Sequence, residues 1–220
     1  MRELPAGHDA VMLDFSGDPA PADAVARATV ALRAAQQAGT LHIADVVPSA
    51  HTVLVQADRG AGIDTLGVHR ALRLDPTDAA AHGSASSQLE VPVVYDGPDL
   101  ADVARVLGLG TERVVQLHTG TLWRVQFMGF APGFGYLVPH GDEDHPLRDV
   151  GRRPESRTRV PRGAVAIAAG YSAVYPRVSP GGWHLLGRTS MTMWDESAVP
   201  PARLAPGALV RFVAVGTDAQ

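Results

Sequence analysis

The sequence contains no cysteine and no lysine. The first absence rules out disulfides, thiolate metal sites and a thiol nucleophile. The second makes all 19 basic side chains arginine, so a biotin-attachment lysine and a phosphate-loop lysine are both excluded. Gly110 to Gly120 has neither the lysine nor the spacing of a Walker A loop, and there is no G-x-S-x-G and no H-E-x-x-H. No apolar run reaches membrane-spanning length, and the opening MRELPAGHDA lacks the apolar core of a signal peptide. A cytoplasmic chain without membrane contact is therefore expected. Aromatics are scarce, at 5%, and the net charge of −4 gives no global attraction to nucleic acid. Heptads and internal repeats are missing too.

What is present is enough for one large domain or two small ones: 220 residues, 45% of them hydrophobic and 19% charged. Residues 10–15 (AVMLDF) read as a strand. Pro19 to Ala38 reads as a helix, with Val25, Ala28, Leu32 and Ala35 at helical spacing and Gly39 as its stop. His42–Val47 and His51–Ala57 are short β-rich runs joined as a hairpin. Ile63 to Leu74 returns to a helical rhythm. Leu89 to Tyr95 is a strand, and Pro92 puts it at an edge or a strand start. The order β-α-β-β-α-β is the ferredoxin-like split unit. Asp75 to Ser87, small and polar, is the linker candidate. Beyond it come two short helices, Asp99–Leu107 and Thr111–Leu117, with Gly108 between them. Short β-branched or aromatic runs follow at 121–129, 164–169, 183–186, 191–194 and 208–215, which argue for a barrel or sandwich.

Residues 127–137 (FMGFAPGFGYL) fit neither an amphipathic helix nor an alternating strand. Three glycines and a proline shape the backbone, and four aromatics supply rigid walls. A packed barrel corner is the plain alternative. Six arginines (148, 152, 153, 157, 159 and 162) fall within fifteen residues. They read either as a solvated basic loop or as anion capture, since a guanidinium fork binds a carboxylate or phosphate through two parallel bonds. Gly181-Gly182 can offer backbone N–H groups to an anion. His118 suits a general base or a hydrogen-bond donor, and equally a structural role. His140 to His145 (HGDEDH) carries metal-binding residue types but reads as a solvated acidic loop, so no metal site is expected.

Together, FMGFAPGFGYL, Arg152-Arg153, RTRVPRG at 157–163, Tyr175-Pro176 and SPGGWHLLGRT at 179–189 resemble the B-subunit of bacterial 5-oxoprolinase. That family is also known as allophanate hydrolase subunit 1 and includes an inhibitor of a sporulation histidine kinase. The resemblance implies an α+β chain with a ferredoxin-like N-terminal domain (residues 1–86) and a cyclophilin-like β-barrel (87–220). It implies a partner, the C-subunit (allophanate hydrolase subunit 2), and a third component with which ATP-dependent opening of 5-oxoproline to glutamate occurs. ATP, with Mg, is expected to bind with the partner subunit.

Three departures stand out. Gly135 replaces the proline of the family's GFPYL, Gly151 and Ser156 replace two prolines, and Ala169-Gly170-Tyr171-Ser172-Ala173 replaces Gly-Gly-Gln-Thr-Gly. The lost Gln removes an amide able to pair with a lactam, and Tyr171 fills its place. The site expected on these grounds assigns His118 and Arg159 to catalysis. It assigns Arg153, Arg157, Phe130, Pro132, Gly133, Tyr136, Tyr175, Gly181, Gly182 and Trp183 to holding a small anionic amide. Two further readings remain open: a non-catalytic regulator of a histidine kinase, and a carboxyltransferase half of a urea carboxylase-like system served by a separate biotin carrier.

Overall fold

In the first unit, an Ala-rich helix and a short antiparallel sheet bury each other. The computed structural model describes residues 1–73, 88–142 and 144–216, so the expected linker at 75–87 lies outside the described residues. The chain divides into two compact units, Met1–Ala85 and Ser86–Gln220. The first contains β1 (Arg2–Pro5), β2 (Ala10–Asp14), α1 (Pro21–Gln37), β3 (Asp45–Pro48), β4 (Thr52–Gln56) and α2 (Thr65–Arg73). Its four strands lie in the order β1-β2-β4-β3, every pair antiparallel. Helix α1 begins with Pro21 in the first turn, where a missing N–H costs nothing. It buries Ala24, Val25, Ala28, Leu32 and Ala35 along one stripe. That stripe shares a core with Leu13, Val46, Val53, Val55 and Val68.

The α+β class with a ferredoxin-like first unit holds, but one strand is placed differently from the sequence expectation. Leu89–Val93 (β5) does not complete the first sheet. It pairs in parallel with Leu209–Ala214 (β13) in the second unit, where Val91 and Val93 enter the barrel core. The edge seat beside β2 goes to β1. Its sequence RELP is exposed throughout, so it carries no alternation that a periodicity search could detect.

The second unit adds α3 (Leu100–Leu107), α4 (Thr111–Gly120), β6 (Trp123–Met128), β7 (Gly135–Pro139), β8 (Arg157–Val160), β9 (Ala164–Ala168), β10 (Tyr171–Val174), β11 (Ser179–Gly181) and β12 (His184–Arg188). Seven strands form one sheet in the order β12-β9-β10-β7-β6-β13-β5, and β8 and β11 make a separate ribbon. The sheet closes on itself. Val94, just after β5, exchanges two 2.9 Å backbone hydrogen bonds with Arg188 of β12. A Cβ at Gly187 would lie 2.2 Å from the Val94 carbonyl oxygen, so the seam needs glycine there. Residues 191–194, expected as a strand, form only one isolated bridge, Trp194 to Ala202. Arg203 holds this stretch instead, donating from its backbone N–H to Met193 O and from Nε to Thr192 O. No described helix is long and apolar enough to cross a membrane.

Strand β9 explains why this unit has two cores. All five residues of Ala-Val-Ala-Ile-Ala are buried. Val165 and Ile167 face the barrel interior, while Ala164, Ala166 and Ala168 face an outer layer containing Phe134, Tyr175 and Trp183. Alternate side chains point to opposite faces of a strand. Three methyl-sized residues on the outer face leave room for large rings.

Candidate functional site

The three loops singled out in the sequence meet over that outer face. The 127–137 loop turns tightly. Ala131 donates to Gly129 O at 2.7 Å, and Phe134 donates to Ala131 O at 2.9 Å. Gly133 sits at φ +80°, and a Cβ there would come within 2.8 Å of Trp194 Cβ. Phe130 is held at φ +66° and is 56% exposed. A bulky residue at positive φ is strained. Pro132 lies in the same turn, two residues further on. The basic segment joins the Gly-Gly-Trp turn directly. The Arg153 N–H donates to Gly182 O at 2.9 Å, and Arg157 of β8 pairs with Gly181 of β11. Both glycines are sterically required: a Cβ at 181 would lie 2.3 Å from Tyr175 Oη, and one at 182 would lie 2.8 Å from Ser156 Oγ. Trp183 packs edge-on against Phe134 and Tyr136, at centroid distances of 5.6 and 5.7 Å.

Two of the aromatics expected to hold a small anionic amide are packed into the fold. Tyr175 is 2% exposed and Trp183 5%. These rings fill the space above the β9 alanines, and Tyr136 is half-buried beside them.

The basic cluster has a centre that the sequence did not reveal. Asp99 is 1% exposed. Its Oδ1 accepts from both Arg153 Nη1 and Arg157 Nη2, the latter at 2.7 Å, and its Oδ2 accepts from the Leu185 N–H at 2.7 Å. Burial alone would raise the pKa of this carboxyl. The Arg157 hydrogen bond, the Leu185 N–H and the two guanidinium charges more than offset that and hold it below the usual carboxylate range. Arg153 and Arg157, expected as open forks for a ligand, are thus turned onto Asp99. Two cations against one carboxylate leave one unit of surplus positive charge. Two buried nitrogens there have no partner among the described residues, Arg157 Nη1 and His184 Nδ1. Burial lowers the His184 pKa, so its ring is neutral at neutral pH. Asp99 precedes α3 as an ordinary N-cap residue does, yet its side chain caps nothing, and that commonplace position concealed its role. Arg159 is exposed on β8.

His118 lies elsewhere, fully buried inside the barrel. Tyr95 Oη lies 2.7 Å from Nδ1, Ser172 Oγ lies 2.8 Å from Nε2, and the ring stacks on Phe212 at 4.3 Å. Burial, reinforced by the nearby His145, pushes its pKa down to about 3. A neutral ring with both nitrogens engaged has no free face for proton exchange with a substrate, which replaces the expected general-base role with that of a pin in the barrel core. His145 is also not part of a solvated loop. It is buried, with Nε2 2.7 Å from Thr121 Oγ1.

The family model for the carboxyltransferase domain, subdomain C and D, matches residues 1–204, and the chain belongs to that family. Its curated relatives include the 5-oxoprolinase B-subunit of Escherichia coli O157:H7, 44% identical over 128 residues, or 57% of each chain. The Bacillus subtilis counterpart of the same name is 37% identical over 130 residues, covering 58% of this chain and 52% of that one. The chain therefore matches little more than half the length of these relatives. The resemblance drawn from the loop motifs holds. Among solved structures, TTHA0988 superposes with a TM-score of 0.77 at 34% identity, over 94% of this chain and 40% of that one. Kluyveromyces lactis urea carboxylase shares the fold, with a TM-score of 0.73 at 19% identity, over 98% of this chain and 22% of that one.

Proposed function

We propose that the chain is one component of a heteromeric, ATP-dependent amidohydrolase of the 5-oxoprolinase type. In this reading it seats 5-oxoproline, a small anionic lactam, for opening to glutamate together with a C-subunit partner. The observation that carries the reading is the meeting of three rigid loops around a surplus of guanidinium charge, in a family whose curated relatives are named as 5-oxoprolinase B-subunits. Opening the lactam forms a bond from water oxygen to the carbonyl carbon and breaks the C–N bond, with a proton delivered to the departing nitrogen. A lactam is a poor electrophile, so binding energy from the carboxylate on the ring is what positions its carbonyl. The chain's part is that positioning and the stabilisation of negative charge by arginine and backbone N–H groups.

The sequence offers no recognisable phosphate-loop motif for ATP. There is no lysine, and among the described residues no three His, Asp or Glu side chains gather to hold a cation. In this reading nucleotide belongs with the partner, and no step here runs through it. The test is co-expression with the C-subunit gene, and with the gene for a third component, from the same genome. Glutamate released from 5-oxoproline only when all components and ATP are present is the expected result. Its absence from every combination overturns the reading. The family's carboxyltransferase description favours one alternative, transfer of a carboxyl group from carboxybiotin on a separate carrier. Consumption of carboxybiotin by the same complex would identify that activity.

A further inference from the structure

The arginines first assigned to anion capture are engaged by Asp99, which raises the question of what else on this face can hold an anion. Tyr136, Tyr171 and Tyr175 belong to one aromatic layer. Tyr136 meets Tyr171 edge-on at 5.5 Å, and Phe127 stacks on Tyr136 at 4.3 Å and meets Tyr171 at 5.9 Å. Phe134 meets both Tyr136, at 5.0 Å, and Tyr175, at 5.3 Å. The rings are packed, but their hydroxyls are not used. Among the described residues none of the three hydroxyls makes a hydrogen bond, and none is sealed away from solvent. A packed phenol ordinarily finds a partner for its hydroxyl. Three neighbouring phenols without a partner inside the chain are free to turn their donors to a ligand.

Cations flank them. Arg148 Nε lies 3.9 Å from the Cβ position of Gly170, the residue before Tyr171. The charge of Arg152 bears on the phenols of Tyr136 and Tyr175, and that of Arg148 on Tyr171. Both arginines are exposed, and neither has a carboxylate partner among the described residues. Burial raises all three phenol pKa values, that of Tyr175 to about 12, so each carries its proton at neutral pH.

We propose that Tyr136, Tyr171 and Tyr175, with Arg152 and Arg148 beside them, form an oxyanion-binding subsite that takes the carboxylate of the small anionic amide. Protonated phenols donate to carboxylate oxygens, and a guanidinium fork supplies charge and two further donors. Gly181 keeps the Tyr175 hydroxyl in place, since any side chain at 181 would displace it.

The choice of a carboxylate rests on the amidohydrolase reading, whereas the oxyanion site rests on the geometry. Calorimetric titration of the full chain with 5-oxoproline, with its uncharged analogue 2-pyrrolidinone and with inorganic phosphate separates the two. We expect 5-oxoproline to bind and 2-pyrrolidinone to bind far more weakly. We expect Arg152→Gln to weaken 5-oxoproline binding roughly tenfold or more, and Tyr171→Phe several-fold, as for hydrogen bonds to a charged group. Tyr171→Phe keeps the ring and its packing, and an unchanged melting temperature confirms that the fold survives. If phosphate alone shows binding that depends on Tyr171 and Arg152, the oxyanion site stands and the 5-oxoproline reading falls. If no oxyanion binds in a way that depends on these residues, or if 2-pyrrolidinone binds as tightly as 5-oxoproline, the subsite is overturned.

Discussion

Around His118 the second unit buries a neutral network in which both ring nitrogens have partners. Around Asp99 it gathers three charges and leaves Arg157 Nη1 and His184 Nδ1 with none among the described residues. A buried polar atom without a partner costs on the order of 1–3 kcal/mol. The closed network behaves like core packing, because its hydrogen bonds are met inside the fold. The open cluster retains cost and charge at the point where three loops meet. Both regions contain a histidine, so residue types alone do not separate them. What separates them is whether every hydrogen-bonding group is satisfied within the chain.

Removing the centre of the open cluster is the strongest way to test that contrast. Asp99→Ala leaves two guanidiniums facing each other and the Leu185 N–H unbonded. Breaking a buried ion pair costs about 3–5 kcal/mol. The arginine side chains here are 24% exposed, so a loss near the low end, about 3 kcal/mol, is expected in urea denaturation. Because the Asp99 pKa is depressed in the fold, its contribution is fully present above the unfolded carboxylate pKa and is lost as pH falls below that range. Asp99→Asn should abolish that acid-dependent part.

The closed network gives a pH signature in a different window. His118→Phe keeps an aromatic ring beside Phe212 but leaves the Tyr95 and Ser172 hydroxyls unmatched and adds volume to a packed core, for an expected loss of about 2 kcal/mol. The folded pKa of His118 is about 3, below the unfolded value of 6.5. The unfolded chain therefore binds the proton more readily, and stability falls as pH drops from 6.5 towards 3. One proton contributes up to ~1.4 kcal/mol per pH unit in that window. The slope should shrink in the variant without vanishing, because burial lowers the His145 pKa as well. An identical slope in variant and wild type would detach His118 from the pH response.

Gly133→Ala tests the rigidity of the loop that roofs the aromatic layer. Its φ of +80° disfavours any side chain, and the added Cβ would stand 2.8 Å from Trp194 Cβ. A loss of roughly 1–2 kcal/mol in melting experiments is expected. A neutral effect would mean that the loop yields more easily than its hydrogen bonds suggest.

These tests also bear on how much the sequence made legible. The helices were readable because their apolar stripes and glycine stops are local signals; α1 and α3 end close to where Gly39 and Gly108 put them. The three loops themselves were readable because Gly, Pro, Arg and aromatics recur together from 127 to 188. Strand pairing was not. Nothing in Leu89–Val93 says that its partner is Leu209–Ala214, at the far end of the second unit. The roles of the charged residues were hidden for the same reason. Arg153 and Arg157 read as available forks until the fold brought Asp99 beneath them, a carboxylate 54 and 58 residues earlier. His118 read as a candidate base until the barrel closed around it. Composition showed where polar chemistry is concentrated, and only three-dimensional pairing showed which of it is already satisfied.

The smallest expected change in stability isolates the arginine least tied to the cluster. Arg159 sits two residues beyond Arg157 on β8, but it is exposed and has no carboxylate partner among the described residues. Arg159→Ala should alter stability by no more than about 0.5 kcal/mol. That neutrality is what makes the variant informative. In the reconstituted complex, a fall in glutamate release with subunit assembly unchanged comes from lost contact with an anion, because the fold around Asp99 is untouched. A drop of tenfold or more with stability unchanged would extend the anion-binding face along β8. Unchanged release would confine that face to the tyrosine layer, with Arg148 and Arg152 at its edge.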